Sequence, residues 1–339
     1  MRVTLEDIAR MANVSKATVS RALNQSEKGV GEETRQRVQR IIDEMEYRPN
    51  LLAQGVSVTR TRTLGVIVPN VTNPFFSALV QCVEQCARRR KYTALICTSA
   101  ESAELEEDCI SILITKQVDG VLLVSVMPDQ TQRHFRFQKY GIPCVVIDRK
   151  MPQMEHSGGV YVDNEYAFFT AAEYLIQNRH RRIAFLSGPL AVSTSKERIE
   201  GYRYALSAHG IPIDPHPILV GLHTIAFGYD AVTALHRQGI RFSAILASSD
   251  VIAIGAMQAL KKLRIRIPED VEIVGFDNIA FAELMDPPLT TMEQPVEELA
   301  GRAVEMLLRL IDGLPLQEPN VRLEARLIHR GTTREPPAG

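Results

Sequence analysis

The apolar positions of the chain change period near residue 62, from helical spacing before it to strand-length runs after it. Leu5, Ile8, Ala9, Ala12 and Val14 mark a first short helix running into Met11-Ala12-Asn13. Thr4 before Asp7 gives it a capping-box-like start. After a turn of three or four residues, VSKATVSRALN opens a second helix at Ser15, whose hydroxyl can accept an orphan N–H of the first turn. Val14, Ala17, Thr18, Ala22 and Leu23 fall broadly on one side, and Ser15, Lys16, Ser20 and Arg21 on the other. Glu32 to Met45 predicts a third helix, with Val38, Ile41, Ile42 and Met45 to close a small core. Two short helices across a tight turn outline a helix-turn-helix, whose second helix lies in the DNA major groove. Pro49 can then open a short helix over Asn50 to Val56, and SVTRTR reads as linker.

Beyond residue 62, apolar runs predict strands at TLGVIV, YTALIC, GVLLVS and CVVID, with helical patterns between them. The alternation resumes with IAFLS, AILAS and EIVGF after a crossing at Gly159 to Asn164. Repeated strand-helix units predict parallel, doubly wound sheets, and two successive sets predict two lobes. Ligands of such sheets sit outside the carboxyl ends of the strands, and a two-lobe protein uses the cleft between them.

A length of 339 residues and 45% hydrophobic content fit two or three domains with sizeable cores. The net charge of −1 argues against a nucleic-acid partner until it is divided: residues 1–62 carry +3 and the remainder −4. That surplus is modest, so tight binding needs two headpieces acting together. No run of 18 or more apolar residues suggests a membrane span, and MRVTLED lacks the apolar core of a signal peptide, so a cytoplasmic chain is expected. Cys82, Cys86, Cys97, Cys109 and Cys144 lie among apolar neighbours, and no His or second Cys pair completes a metal set. They read as buried free thiols, and no metal or cofactor is expected. No GxGxxG or GxxxxGK[ST] follows a strand, and no Ser/His/Asp set appears, which weighs against an enzyme.

Several strand ends carry polar or aromatic residues that a plain α/β core does not require. LGVIVPNVTNPFF delivers Asn73, Phe75 and Phe76; CVVID ends in Asp148-Arg149; ERIEGY contributes Arg198. ASSD gives Ser249 and Asp250, GFDN gives Asp277, and MEQP gives Gln294. Carboxylates, guanidinium groups and amides beside flat rings suit a polyol: charged groups hydrogen-bond hydroxyl pairs, and Phe faces pack on C–H surface.

The run TLEDIARMANVSKATVSRALN, followed by VGEETRQRVQRIIDEMEYRPN, closely resembles the headpiece of the lactose/galactose repressor (LacI/GalR) family of bacterial transcription regulators. The resemblance continues in order through VDGVLLV, RRIAFLSGP, SDVIAIGAMQAL, VGFDN and PPLTTMEQP to a closing RLIHRGTTR. It implies an all-α helix-turn-helix headpiece plus two doubly wound parallel-sheet lobes of periplasmic-binding-protein type. The lobes are expected to be joined by three crossings, near Tyr161–Asn164, Met292–Pro295 and residues 318–326. The implied division is a headpiece 1–47, a hinge and linker 48–61, a first lobe 62–161 with 294–319, a second lobe 162–293 with 320–333, and a tail 334–339.

The resemblance also implies roles. Lys16, Ala17 and Arg21 stand where the family's recognition helix faces bases, with Thr4, Ser15, Thr18, Ser20 and Asn24 among the DNA contacts. In the hinge, Asn50, Ala53 and Val56 are implied contacts; Val56, after Gly55, stands where a Leu usually wedges into the minor groove. NPFF, IDR, ERxEGY, GFD and the closing Gln resemble the pocket of ribose-type repressors. Two positions depart from it: His223 in GLHT stands where an aromatic usually follows Gly-Asp, and Ser249 where Asn is frequent. The implied function is a sugar-controlled repressor of sugar-utilisation genes, acting as a homodimer on a pseudo-palindromic operator. A nucleoside- or purine-responsive regulator, or a catabolite-control type driven by a phosphoprotein, is the alternative.

Overall fold

The computed structural model describes residues 4–23, 30–45, 60–126, 136–151, 158–213 and 217–335. The expected contacts Asn24, Asn50, Ala53 and Val56, with the rest of the hinge, lie outside the described residues. The chain divides into two compact units, residues 1–59 and 60–339.

The first unit holds three helices, α1 (Leu5–Met11), α2 (Lys16–Leu23) and α3 (Glu32–Glu44). The capping box forms: the Thr4 hydroxyl accepts the Asp7 N–H, and the Asp7 carboxylate accepts the Thr4 N–H. Asn13 takes a left-handed backbone (φ 53°), which lets the chain turn sharply between α1 and α2. Leu5, Ile8, Ala9, Ala12, Val19, Ala22, Val38 and Ile42 form the core. Two sequence expectations need correction. Val19, not Ala17, supplies the buried side of α2 with Ala22, one helical step away, while Ala17 points to solvent. Met45 follows the last turn of α3 and is exposed rather than core.

The second unit contains two six-stranded sheets. The first is built from β1 (Thr63–Val68), β2 (Thr93–Thr98), β3 (Gly120–Leu123), β4 (Cys144–Ile147), β5 (Gly159–Val162) and β11 (Asn320–Leu323), in the order β11-β5-β4-β3-β1-β2. The second uses β6 (Ile183–Ser187), β7 (Ile218–Val220), β8 (Ala244–Ala247), β9 (Glu272–Asp277), β10 (Thr290–Glu293) and β12 (Arg326–Ile328), in the order β12-β10-β9-β8-β6-β7. Pairing is parallel except for β10 with β12. The helices include α4 (Pro74–Arg89), α5 (Ala103–Thr115), α6 (Asn164–Gln177), α7 (Ser193–Ala208), α8 (Ile225–Arg237), α9 (Asp250–Lys262) and α10 (Val296–Ile311). Central strands β3, β4, β6, β8 and β9 are buried along their whole length, as expected where helices cover both faces of a parallel sheet.

All seven strand runs read from the sequence are present. The last lobe assignment is not: Asn320–Leu323 pairs with β5 in the first sheet, so the third crossing falls at Glu324-Ala325 and residues 320–323 belong to the first lobe. NVRL is a short, mostly exposed edge strand, and its pattern carries nothing that selects a sheet. Cys109 and Cys144 are buried and the other three cysteines partly so; all five are free. Among the described residues, no helix is long and apolar enough to cross a membrane, and no cluster of His, Cys, Asp or Glu is placed to hold a metal ion.

Candidate functional site

Two places carry side chains that packing does not account for, one in each unit. In the first, the Ser15 hydroxyl caps α2 by accepting the Thr18 N–H at 3.1 Å, and it pairs with the Thr18 hydroxyl at 2.8 Å. Lys16, Ala17 and Arg21 are exposed along the same helix, and Ser20 is half-buried beside them. The Thr4 hydroxyl is engaged by its own helix, donating to Asp7 Oδ2 at 2.6 Å. α2 thus offers a short, uncovered stripe with a lysine at its start and an arginine at its last turn.

In the second unit, ten of the eleven residues picked from the strand ends and from GLHT line one narrow pocket. Asn73, Phe75, Phe76, Asp148, Arg149 and Gln294 come from the first lobe or the second crossing. Arg198, His223, Ser249 and Asp277 come from the second lobe. Glu101 and Thr194 complete the lining and were not foreseen. Both were within reach of the sequence, since Glu101 follows the end of β2 and Thr194 stands four residues before Arg198 at the start of α7.

Local structure explains how these groups reach the cleft. The Asn73 side chain caps α4 by accepting the Phe75 N–H at 3.1 Å, which sets Phe75 and Phe76 in the first turn as an edge-to-face pair, 5.1 Å between centroids. Glu101, Asp148 and Asp277, each just past or at the end of a strand, take positive φ angles of 57°, 67° and 117°. Such backbone is costly for residues with a Cβ and gathers where a side chain must be aimed. Gly201 lets α7 approach α6: a Cβ there would lie 2.1 Å from the Glu165 carbonyl oxygen. That contact brings Arg198 beside Asn164.

Arg198 is held on three sides. Its Nε donates to Asn164 Oδ1 at 2.8 Å, its Nη1 donates to the Ser248 carbonyl at 2.6 Å, and its guanidinium lies 4.0 Å above the Phe276 ring. Arg149 is 3% exposed, donates to the Ser125 carbonyl and to Glu101, and lies over Phe76. Asp277 accepts from Gln294 Nε2 at 2.7 Å, a bond that ties the second crossing to the end of β9. Burial pushes the Asp148 and Asp277 carboxyls up; Arg149 and Arg198 oppose this at Asp148, while neighbouring Asp250 adds to it at Asp277. Burial, then Arg198 and Arg149, hold the His223 imidazole down to about 3, so it is neutral at physiological pH. Four buried atoms of lining residues have no hydrogen-bond partner in the protein: Asp148 Oδ1, Arg149 Nε, Ser249 Oγ and Gln294 Oε1. Buried polar atoms are ordinarily paired, so four around one cavity point to a polar ligand.

Asp250, named with Ser249 in the sequence, has a different place. It is fully buried, accepts from the Thr291 hydroxyl at 2.6 Å and the Ile279 N–H at 2.9 Å, and does not line the cavity. A wider groove between α4 and α10 is lined by exposed Arg89, Arg90, Arg302, Glu298 and Glu305, a solvated charged surface rather than a built pocket.

Comparison with known proteins identifies the family. Residues 4–50 match the model of bacterial regulatory proteins of the lacI family, and residues 172–333 match a periplasmic binding protein-like domain. The HTH-type transcriptional repressor CytR of Escherichia coli (strain K12) is 36% identical over 335 residues, covering 98% of this chain and 97% of that protein. The ribose operon repressor of the same strain is 32% identical over 330 residues, covering 97% and 99%. The crystal structure of the lac repressor dimer bound to operator and the anti-inducer ONPF superposes with a TM-score of 0.87 at 26% identity, covering 98% and 99%. With a matched headpiece, a matched body and relatives aligned end to end, the chain belongs to the lacI family of bacterial regulatory proteins.

Proposed function

We propose that the chain is a repressor of sugar-utilisation genes, binding a pseudo-palindromic operator as a homodimer under the control of a ribose-like sugar held between its lobes. On the DNA side, Lys16, Ala17 and Arg21 read bases, with Ser15, Thr18 and Ser20 beside them and residues 48–61 as the hinge. On the effector side, one observation carries the reading. The buried atoms of lining residues that lack a hydrogen-bond partner include both donors, Arg149 Nε and the Ser249 hydroxyl, and acceptors, Asp148 Oδ1 and Gln294 Oε1. Each hydroxyl of a sugar both donates and accepts, so vicinal hydroxyls satisfy such a set, while Phe75 and Phe76 take the C–H face. The ligand is bound and released unchanged, as suits a regulator rather than an enzyme.

A nucleoside effector is the second reading, favoured by the neutral, flat His223 ring that lines the cavity from the second lobe. Calorimetric titration with D-ribose, other pentoses, cytidine, adenosine and hypoxanthine separates the two. The sugar reading predicts saturable binding of a free pentose. Binding of nucleosides alone would favour the second reading, and binding of none would remove the effector role from this cavity.

A further inference from the structure

Arg149 and Arg198 face the cavity from opposite lobes, and the residue next to each in sequence closes an ion pair between the lobes. Lys150 Nζ lies 2.7 Å from Glu197 Oε1, with side chains 30% and 20% exposed. The other Glu197 oxygen accepts from Asn164 Nδ2 at 3.2 Å. Asn164 is buried at the first crossing, donates also to the Val162 carbonyl at 3.1 Å, and accepts Arg198 Nε. Four side chains thus connect the segment after β4, the crossing and the start of α7, with Arg198 at their end.

We propose that Glu197 is a positioning residue of the effector site and, through Lys150, a latch that sets how far the lobes stand closed before ligand arrives. The geometry carries the latch: a contact of 2.7 Å across two lobes is lost as soon as they part by a few ångströms, so the pair favours the closed arrangement alone. It carries the positioning as well, since Glu197 fixes the amide that holds Arg198 Nε. A ligand that needs both lobes binds in proportion to the closed fraction, so the pair tunes apparent affinity without touching ligand. The positioning role and that last consequence rest on the reading of this cavity as the effector site; the latch does not.

The test is amide hydrogen exchange on the full chain without ligand, comparing wild type, Glu197→Gln, Lys150→Gln and the double variant. Both single variants should speed exchange about three- to fivefold in residues 144–151 of one lobe and 193–200 of the other, the scale of a partly exposed ion pair. The double variant should add nothing to either. Raising salt should speed the wild type toward the variants and leave the variants unmoved, a response that a purely structural role for Glu197 does not give. Lys150→Gln exchange rising only in its own lobe, or additive effects in the double variant, would overturn the latch. No ligand is used, so failure of any sugar to bind would count against the effector reading and leave this result standing.

Discussion

Asp250 and Asp277 are carboxylates of one buried corner whose partners separate their roles. Asp277 answers to Gln294 and Arg198 at the cavity wall, whereas Asp250 ties β10 and the turn after β9 to the start of α9. Gly275 belongs to the same arrangement, since a Cβ there would lie 2.2 Å from Asp250 Oδ1. The sequence shows two aspartates at the ends of apolar runs and nothing of these partners, because Thr291 and Ile279 lie far along the chain. Burial, opposed by the hydrogen bonds of Thr291 and Ile279, raises the Asp250 carboxyl from 3.8 to about 7. A carboxyl raised on folding binds more protons in the native state between those values, so its contribution to stability is full near pH 4 and falls as pH rises to 7. Unfolding in urea should show the gap between wild type and Asp250→Asn narrowing or reversing from pH 4 to 7, by on the order of a few kcal/mol. A gap that stays constant across that window would mean that Asp250 does not titrate there. Burial raises the Glu272 carboxyl, but His180, Asn178 and Arg334 hold it down to about 2, so its contribution is lost only below about pH 4.5.

At the scale of elements, the long apolar runs were legible and the short edge strands were not. β1, β3, β4, β6, β8 and β9 lie in continuous buried runs that read directly. β7 and β12 have three residues each and β11 is mostly exposed, so pairing across the fold, not local pattern, makes them strands. α2 shows a subtler limit: its ends and its cap were readable, but Ala17 and Val19 lie on opposite sides of the helix, and small apolar residues on both sides leave the buried one unselected by pattern. Ala17 is thus exposed along with Lys16 and Arg21, the three residues proposed to read bases. Arg21→Ala should remove preference at one symmetric G·C pair of the operator, about 1–3 kcal/mol of discrimination. A base-by-base competition series at fixed salt measures it, and unchanged preference at every position would take Arg21 out of the base-reading set.

At the scale of the whole molecule, most of the pocket was legible because most lining residues lie near strand ends or in the first turns of helices, where an α/β lobe presents its chemistry. The links behind it were not legible, since Lys150, Glu197 and Asn164 meet only once both lobes are folded around the crossing. In the proposed function α2 faces DNA, the cleft takes a polyhydroxylated ligand, and the cleft controls the helix. The most direct measurement is fluorescence anisotropy of a labelled operator, at fixed salt, titrated with wild type, Arg198→Ala and Asp148→Asn in the presence and absence of a pentose that binds the wild type. The account predicts operator affinity of the wild type falling about tenfold or more with ligand, and both variants binding operator as the wild type does without responding. An operator affinity indifferent to ligand in the wild type, or an equal response in both variants, would contradict it.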